Sequence, residues 1–164
     1  KALLDPFLNN LVDLKDPVFR NIAIMKGTTI GYQYPLKGNE KSIGVDLLTI
    51  PEQREAVLRS MATLESTING PIELVQGGNG IVMRVPITQK TSDPPTFWGL
   101  ISVVLKYEEL INEVMANTDL EDHHIGIYQL DRLGNVNNTI YESEGLKQKE
   151  GSSNHPSEIG RAHV

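Results

Sequence analysis

Apolar residues recur along the chain with two spacings, one helical and one alternating, and the switches between them mark the elements. Leu3, Leu4, Phe7, Leu8, Leu11, Val12 and Leu14 repeat at helical spacing over residues 3–14. Asp5-Pro6 supplies an N-cap and a first-turn proline, and Asp16-Pro17 ends the segment. Residues 22–25 and 29–34, rich in apolar, β-branched and aromatic side chains, flank a Lys26-Gly27 turn and predict a hairpin. Residues 42–48 read as a short strand or an extended loop. Pro51 opens the clearest helix, 51–64, with Ala56, Val57, Met61 and Leu64 on one stripe. Asn69-Gly70-Pro71 then breaks the chain, and 72–76 and 81–87 are strands around Gly77-Gly78-Asn79-Gly80. A polar loop is expected over 88–96. The run 97–105 is the most apolar of all and reads as a central strand buried on both faces. A helix over 107–115 and a hairpin from 124–130 and 136–141 complete the order.

Hairpins dominate, so the sheet is mostly antiparallel, and strands and helices are segregated enough for the α+β class. An antiparallel sheet with helices packed on one face resembles the PAS-like architecture. Residues 20–106 should form that sheet, with 51–64 packed beside it. The expected division is one module over 1–117, a hairpin within 118–150 that is open to being the start of a second module, and a disordered tail over 151–164.

Composition narrows the partners. With 21 acidic and 15 basic residues the formal charge is −6, which repels phosphate backbones, so no nucleic acid is expected. The absence of cysteine excludes disulfides, thiolate zinc sites and cysteine nucleophiles. The run 97–105 falls far short of the roughly 20 residues a membrane span needs.

Familiar catalytic patterns are missing. The glycine cluster at 77–80 lacks the Lys-Ser/Thr ending of a phosphate loop and reads as a hairpin turn. His123 and His124 are adjacent, so on a strand they face opposite ways, and a solvated loop is the better reading than a metal site. Ser60 and Ser102 have no evident partner base, and no acid–base pair stands out, so neither an enzyme nor a cofactor is expected. More informative are polar or amphipathic residues set among apolar ones: Tyr34, Asp46, Gln76, Arg84 and Trp98. Buried polar groups need partners. We therefore take Tyr34, Asp46, Arg84 and Trp98 as the candidate ligand-binding set, converging on one cavity beside the sheet. Trp98 would offer a flat apolar wall with one donor, Asp46 and Arg84 charge-assisted hydrogen bonds, and Tyr34 a hydroxyl. An Asp46–Arg84 salt bridge with no ligand accounts for two of the four equally well.

One stretch carries a resemblance. Tyr34-Pro35-Leu36-Lys37-Gly38-Asn39-Glu40, followed by Ile43-Gly44-Val45-Asp46-Leu47-Leu48, resembles the YPL-x-GNE…IG-x-DLL signature of CHASE-type sensor domains. The likeness continues through Pro51-Glu52-Gln53-Arg54, the run from Gly70 to Gly78, Arg84-Val85-Pro86-Ile87 and the run from Phe97 to Val104, and it includes Arg20-Asn21-Ile22-Ala23 upstream. It implies an extracytoplasmic small-molecule-sensing module of a bacterial transmembrane receptor, on the periplasmic side of the inner membrane. The parent would be anchored by flanking helices absent here, and its cytoplasmic output would be a histidine kinase or diguanylate cyclase. The ligand is not named by the resemblance. A second reading stays open: a ligand-free module of such a receptor, serving homodimerisation or binding a partner protein.

The ends shape a further expectation. Residues 158–164 back-translate as GAG ATC GGA AGA GCA CAC GTC, which resembles a common sequencing-library adapter. The chain is accordingly expected to be an interior piece of a longer protein, with a hydrophobic span on each side in the parent, and no function is placed on Arg161 or His163.

Overall fold

The computed structural model describes residues 4–89, 93–117, 124–130 and 133–143. By contact the chain divides into two units, 1–117 and 118–164. The expected tail at 151–164, with its adapter-like end, and His123 lie outside the described residues.

The first unit is organised around β5 (Thr96–Lys106), the most apolar segment, which takes the central place its composition demands. On one side it pairs with β1 (Phe19–Lys26), which carries β2 (Thr29–Tyr34). On the other it pairs with β4 (Asn79–Gln89), which carries β3 (Thr67–Glu73). The order β2-β1-β5-β4-β3 is antiparallel throughout, a PAS-like sheet in an α+β fold.

Three elements depart from their predicted form. β3 starts at Thr67 and absorbs Asn69-Gly70-Pro71, which lie where its register with β4 shifts. Proline is tolerated there because β3 is an edge strand with a bulge. Glycine is required: Gly70 has φ +143°, and a Cβ on it would sit 2.7 Å from the Gly80 carbonyl oxygen. The polar Thr88 and Gln89 do not form loop but pair with Phe97 and Thr96, lengthening β4. Residues 42–48 are not a strand. They run through two 3-10 turns, Glu40–Ser42 and Leu47–Thr49, tied to the sheet by an isolated bridge between Thr29 and Asp46 and by backbone bonds of Ile30 with Gly44 and Val45.

The helices cover both faces of the sheet, not one. Alternation places Ala23, Met25 and Leu100 on one face, packed with Leu47 and with Val57 of α2 (Pro51–Thr63). The opposite face presents Ile22, Ile24, Ile101, Val103, Tyr32 and Tyr34, on which Leu8 of α1 (Leu4–Leu11) lies. Central strands that are apolar on both sides need a helix on each. Because α1 is short, its side of β5 is half-buried at Ile101 and Val103, while Leu100, Ser102 and Val104 beneath α2 are buried. α2 ends where Leu64 turns left-handed at φ 57° and donates its amide to the Ser60 carbonyl. α3 (Tyr107–Ala116) follows β5 directly. In the second unit β6 (Gly126–Leu130) and β7 (Val136–Glu142) form a two-stranded antiparallel hairpin.

Candidate functional site

Beneath α2 the sheet does not fill its own volume. A cavity of about 30 Å³ lies over β1, β5 and β4, roofed by the 3-10 segment, by Gln53 of α2 and by the turn from Leu74 to Gln76. That is room for about two waters or a ligand of a few heavy atoms, well below a drug-sized pocket. Its apolar walls include Met25, Ile30, Leu47, Leu74 and Val82. Its polar lining is Asn21, Gln33, Ser42, Gln53, Gln76 and Ser102.

Four of those six form a directional relay. Gln76 Nε2 donates to Asn21 Oδ1 at 3.3 Å, Asn21 Nδ2 to Gln33 Oε1 at 2.6 Å, and Gln33 Nε2 to Ser42 Oγ at 2.6 Å. Ser42 Oγ ends it on the Asn39 carbonyl at 2.7 Å. Asn21, Gln33 and Ser42 are 0%, 4% and 1% exposed, so these bonds are not shared with bulk solvent. Asn39 is itself held by its Nδ2 donating to the Pro35 carbonyl at 2.9 Å. The residues 34–40 that carry the sequence signature thus build the far end of the relay.

Next to the relay is a buried cation. Arg84 is 0% exposed. Its Nη2 donates to Gln53 Oε1 at 2.6 Å and its Nη1 to Asn69 Oδ1. Both partners are neutral amides, and burial pushes the guanidinium down to about 10, so it stays charged at neutral pH. In strand register Arg84 lies between Thr67 and Ser102. Thr67 Oγ1, Arg84 Nε and Ser102 Oγ are all buried without a hydrogen-bond partner among the described residues.

The structure separates the four residues proposed from sequence. None borders the cavity. Tyr34 faces the other side, where its hydroxyl donates to Asn9 of α1. Asp46 is occupied locally: its Oδ1 accepts from Thr28 Oγ1 at 2.6 Å and from the Leu48 amide at 3.0 Å, capping the second 3-10 turn. Those two bonds hold its carboxyl below the usual range, the Thr28 hydroxyl contributing most. The Asp46–Arg84 salt bridge is not formed, since each group is bonded elsewhere. Trp98 is half-buried beside the register slip between β4 and β5, with its carbonyl accepting from the Gly27 amide at 2.9 Å. Arg84 alone touches the site, through Gln53. Of the two serines without evident partners, Ser60 donates to the Glu65 carbonyl at 2.9 Å, whereas Ser102 faces the cavity unpaired.

Asn21, Gln33, Ser42 and Gln53 escape the sequence reading. The signal for Asn21 and Gln33 is the one that singled out Arg84, a polar residue within an apolar strand. Reading each strand by alternate faces would have put Asn21, Ala23 and Met25 together.

Comparison with known proteins adds an independent observation. The CHASE domain family model matches residues 18–141. A solved structure of an "Extracellular ligand binding receptor from Desulfohalobium retbaense DSM5692" superposes with a TM-score of 0.58 at 20% identity, over 93% of this chain and 27% of that one. At that identity the superposition speaks to the fold, and this chain spans about a quarter of that receptor. No curated protein matches. A match over most of the chain, on a sheet of this order, means that the chain belongs to the CHASE domain family.

Proposed function

We propose that this domain is the extracytoplasmic small-molecule sensor of a bacterial membrane receptor, and that it passes ligand occupancy to a cytoplasmic output domain. The observation that carries the reading is the relay of buried amides and hydroxyls lining a cavity inside an otherwise apolar fold. Buried polar chains of this kind are costly unless paired, and they discriminate sharply between ligands that complete them and ligands that do not. The Desulfohalobium receptor of the same fold is described as ligand-binding, which supports the reading.

Transmission follows from β2. Gln33 faces the cavity, while its neighbours Tyr32 and Tyr34 face α1 and donate their hydroxyls to Asp5 and Asn9. A ligand that repositions Gln33 moves the strand to which the helix is bonded. A histidine kinase or diguanylate cyclase is the output proposed. The parent would be held in the inner membrane by helices outside this segment, as among the described residues no helix is long and apolar enough to cross one.

A screen of small metabolites by thermal shift tests the reading. At least one compound should raise the melting temperature, and Gln33→Ala should remove its effect. An unresponsive chain that sediments as a stable dimer would overturn it in favour of a dimerisation module. One observation favours that second reading: Phe7 and Leu11 of α1 are 61% and 63% exposed.

A further inference from the structure

We infer that the ligand of this cavity is a small carboxylate, with its anionic head at Gln53 and Ser102 in front of Arg84 and its short alkyl part against Met25, Ile30 and Leu47. The inference rests on the sensor reading and names the ligand class for that same cavity.

The charge argument comes first. A fully buried arginine is ordinarily matched by a carboxylate, because an unpaired buried charge is among the most costly features a core can hold. Among the described residues none pairs with Arg84, whose two bonded partners are the amide oxygens of Gln53 and Asn69. A guanidinium has only donors, so Gln53 must turn its Oε1 toward Arg84. The Nε2 end of the amide is thereby the end not held by the arginine, on a side chain that lines the cavity.

Donor geometry points the same way. Ser102 is 3% exposed, borders the cavity, and has a hydroxyl with no partner among the described residues. It is the direct cross-strand neighbour of both Arg84 on β4 and Ala23 on β1. One corner of the cavity therefore offers a free hydroxyl, an oriented amide and, immediately behind them, an uncompensated positive charge at low dielectric. A cation is repelled from that corner, and a neutral ligand leaves the charge unmatched. The apolar walls exclude a fully polar oxyanion such as sulfate, and the volume of about 30 Å³ limits the alkyl part to a few carbons.

The test uses the full chain, isotopically labelled, with propionate as probe at constant ionic strength. Propionamide, ethylammonium and sulfate are titrated in parallel, and the readout is the backbone amide signals of Ala23, Gln53 and Ser102. Propionate should shift all three saturably and bind at least tenfold more tightly than any of the others. Ser102→Ala, which deletes a hydroxyl without a partner and so keeps the fold, should weaken propionate several-fold. Gln53→Glu is the decisive variant: it supplies Arg84 with an internal counter-charge, so it should fold and lose propionate binding by at least tenfold. Equal affinity of Gln53→Glu and the parent chain would overturn the inference, as would sulfate binding as tightly as propionate. If propionamide or ethylammonium shifts these amides and propionate does not, the carboxylate assignment fails while the sensor reading stands. If none of the four shifts them, the carboxylate assignment also fails, and the sensor reading is judged by the metabolite screen alone.

Discussion

Replacing Asn21 by alanine should destabilise the first unit by about 2–3 kcal/mol, because its shorter bond has a buried partner, Gln33, that cannot simply turn to water. Asn21 is 0% exposed and joins Gln33 to Gln76. Its loss strands Gln33 Oε1 on a side chain only 4% exposed, which costs about 1–3 kcal/mol by itself. Gln76 is only half-buried and recovers a bond to solvent, so its 3.3 Å contact adds little. The void left by the missing amide adds the remainder. With a urea m-value of about 2 kcal/mol/M, the unfolding midpoint should fall by about 1 M. Trp98 is the one tryptophan in the chain and lies on β5, so its fluorescence reports the first unit.

A second variant turns this into a test of the bond and not merely of the residue. Gln33→Ala breaks the same 2.6 Å bond from the other end and strands Asn21 Nδ2. In the double variant neither group remains to be stranded. The two losses should therefore sum to more than the double loss, by about 1 kcal/mol or more. Additivity within about 0.5 kcal/mol would refute the relay as an energetic unit. So would a loss below about 0.5 kcal/mol for Asn21→Ala, the level expected of surface substitutions.

Three further outcomes follow from the packing and the titrating groups. Leu100→Ala, at 0% exposure in the cluster under α2, should cost about 2–5 kcal/mol by urea unfolding. Gly99→Ala places a Cβ on the Met25 carbonyl oxygen and should cost at least about 1–3 kcal/mol while disturbing the β1–β5 register, seen as loss of amide protection in β1. Burial and then the hydrogen bond to Asp5 push the Tyr32 hydroxyl up to about 12 from 10.0, so between those pH values the folded chain keeps a proton the unfolded chain has lost. Stability should thus fall with rising pH across that window, and Tyr32→Phe should flatten the fall.

Much of the fold was legible because hydrophobic pattern and position in the sheet are the same information for β5. A run with no polar face has nowhere to sit but the middle. The hairpins likewise follow from local turns, Lys26-Gly27 and Gly77-Gly78, whose glycines adopt positive φ. The breaks were harder to read. Pro71 removes a donor in a way that looks like a strand end, and only its place on an edge strand makes it a bulge. Asp46 looks like a charge planted in a strand, yet two short bonds in its own neighbourhood make it a cap. The site was less legible for a related reason. Alternation puts Tyr32 and Tyr34 on one face of β2 but does not say which face of another strand they share, so Tyr34 groups with Arg84 although alternation from the cavity-facing Gln33 sends it to the opposite side.

That alternation also bears on how one strand can serve two purposes. β2 ends the sheet, paired with β1 on one side and bonded on the other to the 3-10 segment through Thr29–Asp46 and through Ile30 with Gly44 and Val45, so its movement would carry that segment while leaving the β1–β5–β4 pairing in place. Its partner register already slips at Gly31, between the pairs Ile24–Tyr32 and Met25–Ile30, which loosens the ladder where movement would be needed. On one face it offers Gln33, midway along the relay. On the other it holds α1 through Tyr32 to Asp5 and Tyr34 to Asn9, residues four apart and hence on one side of that helix. A rotation of β2 that follows a new bond at Gln33 cannot leave both the position of α1 and the two tyrosine bonds unchanged. The helix must shift with the strand or release one of them, and these are two discrete arrangements of the kind a switch requires. Tyr32→Phe and Tyr34→Phe together should therefore leave the cavity and its ligand affinity intact while removing any ligand-dependent change in the amide protection of α1. A helix that still responds in that variant would show that the coupling runs by another route.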